Sequence, residues 1–356
     1  MDEALAEIRF DGIRYGYWQK VEIRESVDDL CASVRLAITS GYGFQDTGHS
    51  TETRTLKPVP CSANTVADIL IGGGLVTRVR PDNIRRRVDA ESHAIHIEAR
   101  SLGRELVDCQ YSKTLSGLKL GEIVKRICSA FEVPVKIAAE TAVVPDFSMQ
   151  CELPANALIN AVRSANLLLY PQPDGGLILT APTDAAPVAA LVYGVHIKRY
   201  EVVDEFKLRF SDYVIKGYDY GSDTALKGAI KDAGIGFFRP MHIVADRHGQ
   251  GLGGCDRRAR LERNRRLARA HRLDLEVSGW RYQDAEGQWQ TWAINTQVRV
   301  IIPDEGIDDV FLIGERTFRL DDKGGSVTSL QVMRRNAFLG EEKKKTRRGA
   351  GVKGNK

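Results

Sequence analysis

The sequence has 356 residues, of which 43% are hydrophobic and 28% are charged, and its formal net charge is only +4. This length exceeds one ordinary core, so two to four domains are expected. The composition is typical of a soluble globular protein, and the small net charge gives no general reason to expect a nucleic-acid partner. No apolar run is long enough to span a membrane, and the acidic N-terminal residues lack the apolar core of a signal peptide.

The cysteines form no C-x-x-C pair and stand in mostly apolar or strand-like surroundings. This pattern favours packed, reduced thiols over a disulfide framework. The six cysteines are Cys31, Cys61, Cys109, Cys128, Cys151 and Cys255.

Residues 1–105 carry repeated strand and turn signals. Ile8 and Phe10 alternate with polar residues before a hairpin turn at Asp11 and Gly12. Two further hairpins are predicted, one around the glycines at 72–74 and one around an acidic turn at 89–92. A polar loop at 40–62 is longer than usual, which suggests exposure or use at a contact. Short strands at this spacing predict a first small antiparallel β-barrel.

Residues 106–190 change character and predict a compact α/β domain. A helix is predicted over 120–131, because Leu120, Ile123, Val124 and Ile127 fall on one helical face. A strand follows at 133–137, and Pro154 is a typical first residue of a second helix. A hairpin at 167–180 and a linker-like run at 181–187 complete this domain.

Strand signals return after residue 190. Residues 191–225 predict connecting strands shared between two barrels, including an extended run over 206–220. Residues 226–272 predict an insertion, with a second extended run at 237–246, a glycine loop at 249–254 and a helix at 257–272. Residues 273–339 predict a second β-barrel, and the basic tail at 340–356 has too few apolar side chains to fold.

The block at 297–334 repeats the pattern of the block at 69–100. The shared pattern is a strand, a glycine turn, a strand, an arginine-flanked strand, an acidic turn and a last strand that ends in an arginine. We interpret the two blocks as a duplication of one barrel. The predicted fold class is therefore α+β and mostly β, with two related antiparallel β-barrel domains, an inserted α/β module, and a smaller insertion that carries an Arg-rich helix.

The helix at 257–272 carries eight arginines, which suggests either phosphate binding or a protein interface. No aromatic interleaving or base-reading motif accompanies it, and arginine suits interfaces through bidentate pairing with carboxylates. Nucleic acid is therefore an unlikely partner, and Leu261, Leu267 and Ala268 are expected to pack inward. The candidate interface residues are Arg257, Arg260, Arg263, Arg266 and Arg269.

No catalytic, cofactor-binding or metal-binding residue is predicted. His93 and His96 lie three apart on a predicted strand, so they point to opposite faces. His242 and His248 lie near the glycine loop, where turn chemistry explains them more simply than a metal site does. The glycine loop lacks the phosphate-loop pattern G-x-x-x-x-G-K-[S/T].

Several segments in a fixed order carry a resemblance. The central ones are RFSDYVIKGYD at 209–219, RPMHIVAD at 239–246, the Arg-rich helix, and LEVSGWR at 275–281. The segments 8–12, 21–26, 33–38 and 72–109 match as well. Together they resemble the central baseplate hub proteins of Mu-like contractile phages and the late-control hub family of other contractile tails. The resemblance covers nearly all of the chain except its tail.

The resemblance implies a structural hub rather than an enzyme. It implies a homotrimer whose six barrels form a ring, located in the baseplate of the virion tail and assembled in the host cytoplasm. The implied partners are the tail spike, the tail tube, other baseplate proteins and the tape-measure protein in the channel, with no membrane span and no cofactor. The alternative is a tail-associated peptidoglycan hydrolase or glycan-binding module, although no acid/base pair stands out to support it.

Overall fold

The computed structural model describes residues 6–10, 13–15, 18–38, 42–45, 53–56, 62, 64–88, 93–219, 223–245, 254–321 and 325–339. The predicted tail at 340–356, residues 249–253 of the glycine loop and most of the loop at 40–62 lie outside these ranges. The described cysteines are free thiols, as predicted: Cys31, Cys109, Cys128, Cys151 and Cys255.

The first β-rich part consists of short strands joined mostly as hairpins. Along β1 and β3, buried Ile8, Phe10, Val21 and Ile23 alternate with more exposed polar residues. The predicted hairpins of β1 with β2, β7 with β8, and β8 with β9 are confirmed. The strands are β1 (Ala6–Phe10), β2 (Ile13–Tyr15), β3 (Trp18–Ser26), β4 (Ser33–Ile38), β5 (Tyr42–Gln45), β6 (Thr53–Leu56), β7 (Ala67–Ile71), β8 (Gly74–Val88) and β9 (His93–Ser101).

The α/β part has its own apolar core. Ile123, Val124 and Ile127 of α2 are buried, as their spacing predicts. Pro154 begins α3, a position where a backbone N–H would have no partner within the helix, so the N–H that proline lacks is not needed. β13 and β14 form the predicted hairpin, and β11 adds to it in parallel. The elements are α1 (Arg104–Asp108), β10 (Tyr111–Lys119), α2 (Leu120–Ser129), β11 (Val135–Ile137), β12 (Val143–Glu152), α3 (Pro154–Ser164), β13 (Leu168–Pro171) and β14 (Leu177–Thr180).

The second β-rich part contains an insertion made of a three-stranded sheet, in the order β18-β17-β19, and one long helix. Short 3-10 turns follow β16, β23 and β25. The elements are β15 (Ala189–Val192), β16 (Ile197–Asp204), β17 (Asp212–Asp219), β18 (Thr224–Lys231), β19 (Pro240–Val244), α4 (Gly254–Ala270), β20 (His271–Ser278), β21 (Arg281–Gln283), β22 (Trp289–Thr291), β23 (Gln297–Ile302), β24 (Ile307–Asp321) and β25 (Gly325–Met333).

Three predicted boundaries in this region are wrong. The extended run predicted from 206 begins as a 3-10 turn at Phe206–Leu208, and strand β17 starts only at Asp212. The Phe210 N–H donates to the Tyr213 hydroxyl at 3.1 Å, a local bond that replaces strand pairing at this point. The helix predicted over 257–272 begins earlier, at Gly254, and it ends at Ala270, because the next two residues already pair with β16.

Fifteen of the described strands form one sheet, which joins the two β-rich parts. Its order is β16-β20-β25-β24-β3-β4-β9-β8-β7-β1-β2-β5-β6, with β23 paired to β24 and β15 paired to β23. Among the described strands this is an open path, so the predicted pair of separate closed barrels is not found. The second half of β24 pairs with β25 on one side and with β3 on the other, which merges the two parts.

The two β-rich parts repeat one topology. The strands β3, β4, β7, β8 and β9 lie in the order β3-β4-β9-β8-β7, and β16, β20, β23, β24 and β25 lie in the matching order β16-β20-β25-β24-β23. In each repeat a short strand is followed by strands of 15 and 9 residues. The 15-residue strand has a register shift near its middle in both repeats. This correspondence supports the predicted duplication and extends it to five strands.

Candidate interface site

The Arg-rich helix α4 lies on the sheet of the insertion. Its first turn contacts β18 at Gly228, where any side chain would overlap the backbone of Cys255 and Asp256. Cys255 and Ala259 pack with Ile215 of β17 in a small apolar cluster. Further along the helix, Leu261, Asn264, Arg265 and Ala268 are buried on another side. The helix is therefore embedded on two sides rather than lying on the surface.

The inward packing predicted for Leu267 is wrong. Leu261 and Ala268 are buried as predicted, but Leu267 is 38% exposed. It lies seven residues after Arg260, two full helical turns, so both share the stripe of α4 that faces solvent.

The five candidate interface arginines divide into two groups. Arg257 and Arg260, in the first half of α4, are exposed. Arg263 donates to the Asn264 side-chain oxygen at 2.8 Å. Arg266 donates to Glu262 at 2.7 Å and lies over the Phe210 ring, and Arg269 forms an ion pair with Asp28. The last three thus make contacts within the chain.

Asp28 receives three arginines from two distant segments. Arg163 of α3 donates to its Oδ1 atom at 2.8 Å, Arg265 approaches the same oxygen at 3.6 Å, and Arg269 pairs with Oδ2. Burial would raise the pKa of Asp28, but the charges of Arg269, Arg163 and Arg265 outweigh it and hold that pKa below its usual range. This cluster links the turn after β3, the α/β part and the insertion.

Sequence patterns gave no signal for this cluster. Asp28 and Arg163 stand in segments predicted as a strand connection and a helix, 135 residues apart. Arg265 is one of the eight arginines of the helix, and arginine is seldom fully buried. The neighbouring residues in the sequence do not distinguish it from the exposed arginines. Only the packing of α4 against α3 and the first β-rich part brings these residues together.

The histidines and glycines do not form a site among the described residues. His96 and His242 are exposed, while the side chain of His93 and the whole of His248 lie outside the described ranges. No three His, Cys, Asp or Glu side chains within those ranges are grouped as for a metal ion. Likewise, no helix in the described part of the chain is long and apolar enough to cross a membrane.

The joint between the two repeats contains a buried ion pair. β3 and β24 pair antiparallel, from Ser26 opposite Glu315 to Val21 opposite Leu320. Within this ladder Arg316 donates to Glu25 at 2.6 Å, and both residues are about 95% buried, with 5% and 4% exposed. Burial raises the pKa of Glu25, although the positive charge of Arg316 acts to lower it.

Several backbone edges of the sheet lack a strand partner among the described strands, including those of β6 and β15, and two others correspond to the joint inside the chain. One is the outer edge of β16, whose strand partner is β20; apart from this pairing, its first residue Ile197 forms one isolated bridge with Tyr193. The other belongs to β8 beyond Val79, where pairing with β7 ends and β9 covers only one side. β16 corresponds to β3, and β8 corresponds to β24, in the repeat described above. The two edges are therefore the counterparts of the two strands that join the repeats inside the chain.

Two family models match separate parts of the chain. Residues 254–341 match the fourth domain of the Mu phage baseplate assembly protein GpP, and residues 104–181 match the second domain of gp44-like baseplate hub proteins. The chain is also 26% identical to the baseplate hub protein gp44 of Escherichia phage Mu, over 98% of this chain and 93% of that protein.

Solved structures share the fold over nearly the whole chain. The 43 kDa tail protein of prophage MuSo2 from Shewanella oneidensis aligns with a TM-score of 0.78 at 23% identity, covering 94% of this chain and 99% of that one. A tail protein from Neisseria meningitidis MC58 aligns with a TM-score of 0.77 at 21% identity, covering 92% and 96%. The resemblance found in the sequence is confirmed: over nearly its whole length the chain is similar to the baseplate hub protein gp44 of phage Mu and shares a fold with these tail proteins.

Proposed function

We propose that this protein is a structural component of a contractile phage tail baseplate. It forms a trimeric central hub that joins the tail spike to the tail tube, within the virion tail after assembly in the host cytoplasm. The observation that carries this proposal is the pair of open sheet edges, which match the two strands of the joint inside the chain. The similarity to the Mu hub protein supports the baseplate setting.

The internal joint serves as a template for contact between copies. Inside the chain, the β3 edge of the first repeat pairs with the β24 edge of the second. The same contact between copies pairs β16 of one copy with the second half of β8 of the next. Such a head-to-tail contact uses two different surfaces, and it generates a closed ring when the rotation closes. Three copies would supply six repeats, the number that the hub resemblance implies.

The template also gives the register of this contact. When the two repeats are aligned by the register of their paired strands, Glu201 of β16 is equivalent to Glu22 of β3. In the same alignment, Arg87 of β8 is equivalent to Arg319 of β24. Within the chain, Glu22 lies directly opposite Arg319. Arg87 of one copy therefore lies opposite Glu201 of the next. Opposite charges at facing positions stabilise paired strands, and both side chains are exposed in the single chain.

Charge reversal at these two positions tests the assembly. Arg87→Glu and Glu201→Arg each place like charges opposite one another, so each should lower the trimer fraction measured by light scattering at high protein concentration. The double variant restores opposite charges and should recover the trimer. Glu286→Arg, in the exposed turn between β21 and β22, is the matched control and should assemble like the wild type. Equal masses for all four proteins, or a double variant as weak as the single ones, would refute this contact.

The partners follow from the hub role. A ring with the spike on one face and tube subunits on the other needs no active site, and its channel would accommodate the tape-measure protein. The competing assignment as a cell-wall hydrolase predicts release of muropeptides from purified peptidoglycan. The hub assignment predicts release no greater than that of a buffer control, and robust turnover would count against it.

Nucleic acid is not among the proposed partners. Of the candidate arginines, Arg263, Arg266 and Arg269 make contacts within the chain, which reduces their availability to phosphates. Replacing both Arg263 and Arg266 with Glu should lower the melting temperature, while DNA affinity stays negligible near physiological salt. Tight DNA binding that weakens steeply with salt and disappears in this variant, at unchanged melting temperature, would favour the opposite assignment.

A further inference from the structure

We propose that the arginine cluster at Asp28 forms a binding site for one monoatomic anion, of which chloride is the abundant example. The site lies where the turn after β3, helix α3 and helix α4 meet. It contributes to holding the α/β part and the insertion against the first β-rich part. This inference does not depend on the hub assignment.

The first observation is an excess of positive charge around one carboxylate. Three guanidinium groups, those of Arg163, Arg265 and Arg269, converge on the single carboxylate of Asp28. The nearby carboxylate of Glu262 is already engaged by Arg266. One carboxylate cannot neutralise three arginines, and uncompensated charge is most costly at Arg265, which is 9% exposed, whereas Arg163 and Arg269 are 27% and 37% exposed.

The second observation is that Arg265 lacks a close acceptor. Its side chain is only 9% exposed, and its ion pair with Asp28 spans 3.6 Å, which is longer than a hydrogen bond. Among the described residues it forms no shorter polar contact. A guanidinium has five N–H donors and no acceptor, so the bonding capacity of Arg265 needs an acceptor from elsewhere.

The third observation is a cavity at this place. It has a volume of about 20 Å³ and is lined by Asp28, Arg163 and Arg265, with otherwise apolar walls that include Leu261 and Phe338. One water-sized particle needs about 10–15 Å³, so a single water or halide fits here. The polar wall consists of two donors, Arg163 and Arg265, and one acceptor, Asp28. A halide only accepts, which matches the arginines.

The probe is chloride itself, compared with gluconate at equal ionic strength. Thermal unfolding of the full chain should give a melting temperature that rises with chloride and levels off, by roughly 1–2 °C, because an ion bound only to the folded state stabilises it. Arg265→Met should remove the dependence on chloride. Arg257→Met, an exposed position on the same helix, is the control and should retain it.

A second measurement covers the case in which Arg265→Met fails to fold. Crystals of the wild-type protein grown with bromide should give an anomalous scattering peak between Arg163 and Arg265. An empty or water-filled cavity in those crystals would overturn the proposal. So would a melting temperature that responds to chloride and gluconate alike, or an Arg265→Met variant that keeps the full chloride response.

Discussion

Removal of the Glu25 carboxylate is the sharpest test of the joint between the two repeats. Glu25 and Arg316 are 4% and 5% exposed, and they form a hydrogen bond of 2.6 Å within the β3–β24 ladder. In Glu25→Gln the guanidinium of Arg316 stays buried and loses its counter-charge. Its remaining partners are the backbone oxygen of Trp292 and the ring of Phe318. Breaking a buried pair in this way costs about 3–5 kcal/mol of stability.

A matched control lies on the same strand. Glu22 accepts a hydrogen bond from Arg35 at 2.8 Å, but Arg35 is largely exposed, with 66% of its side chain accessible. Exposed pairs contribute about 0–1 kcal/mol, so Glu22→Gln should change stability little. Urea unfolding of both variants, followed by tryptophan fluorescence, gives the comparison, because Trp280 and Trp292 are buried in the core of this part.

Replacement of both partners separates the charge from the packing. Glu25→Leu combined with Arg316→Met leaves no buried charge, and such replacements are often neutral or stabilising. Loss of the Arg316 bond to the Trp292 oxygen costs about 1 kcal/mol, so the double variant should lie within about 2 kcal/mol of the wild type. The reasoning fails if Glu25→Gln costs less than about 1 kcal/mol, or if the double variant is as unstable as the single one.

Three other changes have defined outcomes. Gly103→Ala should lose about 1–3 kcal/mol in thermal unfolding because its Cβ would overlap the backbone oxygen of Leu30, whereas Gly236→Ala, with open space around it, should be tolerated. The arginines that keep the pKa of Asp28 low give stability that is present above the ordinary pKa of about 3.9 and is lost as pH falls through the lower folded-state pKa. The Asp28→Asn variant should therefore be less stable than the wild type at neutral pH and should lose less stability on acidification. Equal pH profiles of stability for the two proteins would contradict this. Deletion of 340–356 should leave the melting temperature unchanged, and a loss of several degrees would show that these residues pack.

Local patterns in the sequence predicted most of the elements. The spacing of Ile123, Val124 and Ile127 predicted helix α2, and the hairpins at Gly72–Gly74 and before β9 followed from turn residues between alternating runs. The duplication was visible because both repeats keep the same order of strands and turns. These features depend on residues close together in the chain, which a sequence pattern can represent.

Contacts between distant segments could not be predicted in the same way. Glu25 and Arg316 are 291 residues apart, and neither stands out in its own strand. The closed barrels were expected from strand spacing alone, but spacing does not reveal that β24 pairs with β3 and merges the repeats. Of the arginines in α4, those paired with Asp28 could be told from the exposed ones only by what packs on each side of the helix.

Cross-linking at the proposed contact between copies tests the central claim most directly. Facing residues of paired strands have Cα atoms about 4.5–5.5 Å apart, a distance that a disulfide can span. The variant with both Arg87→Cys and Glu201→Cys should, on mild oxidation, give covalent dimers and trimers but no larger species, whereas each single variant should not. Only uncross-linked chains, or an open ladder of products extending beyond three chains, would contradict a closed ring of three copies.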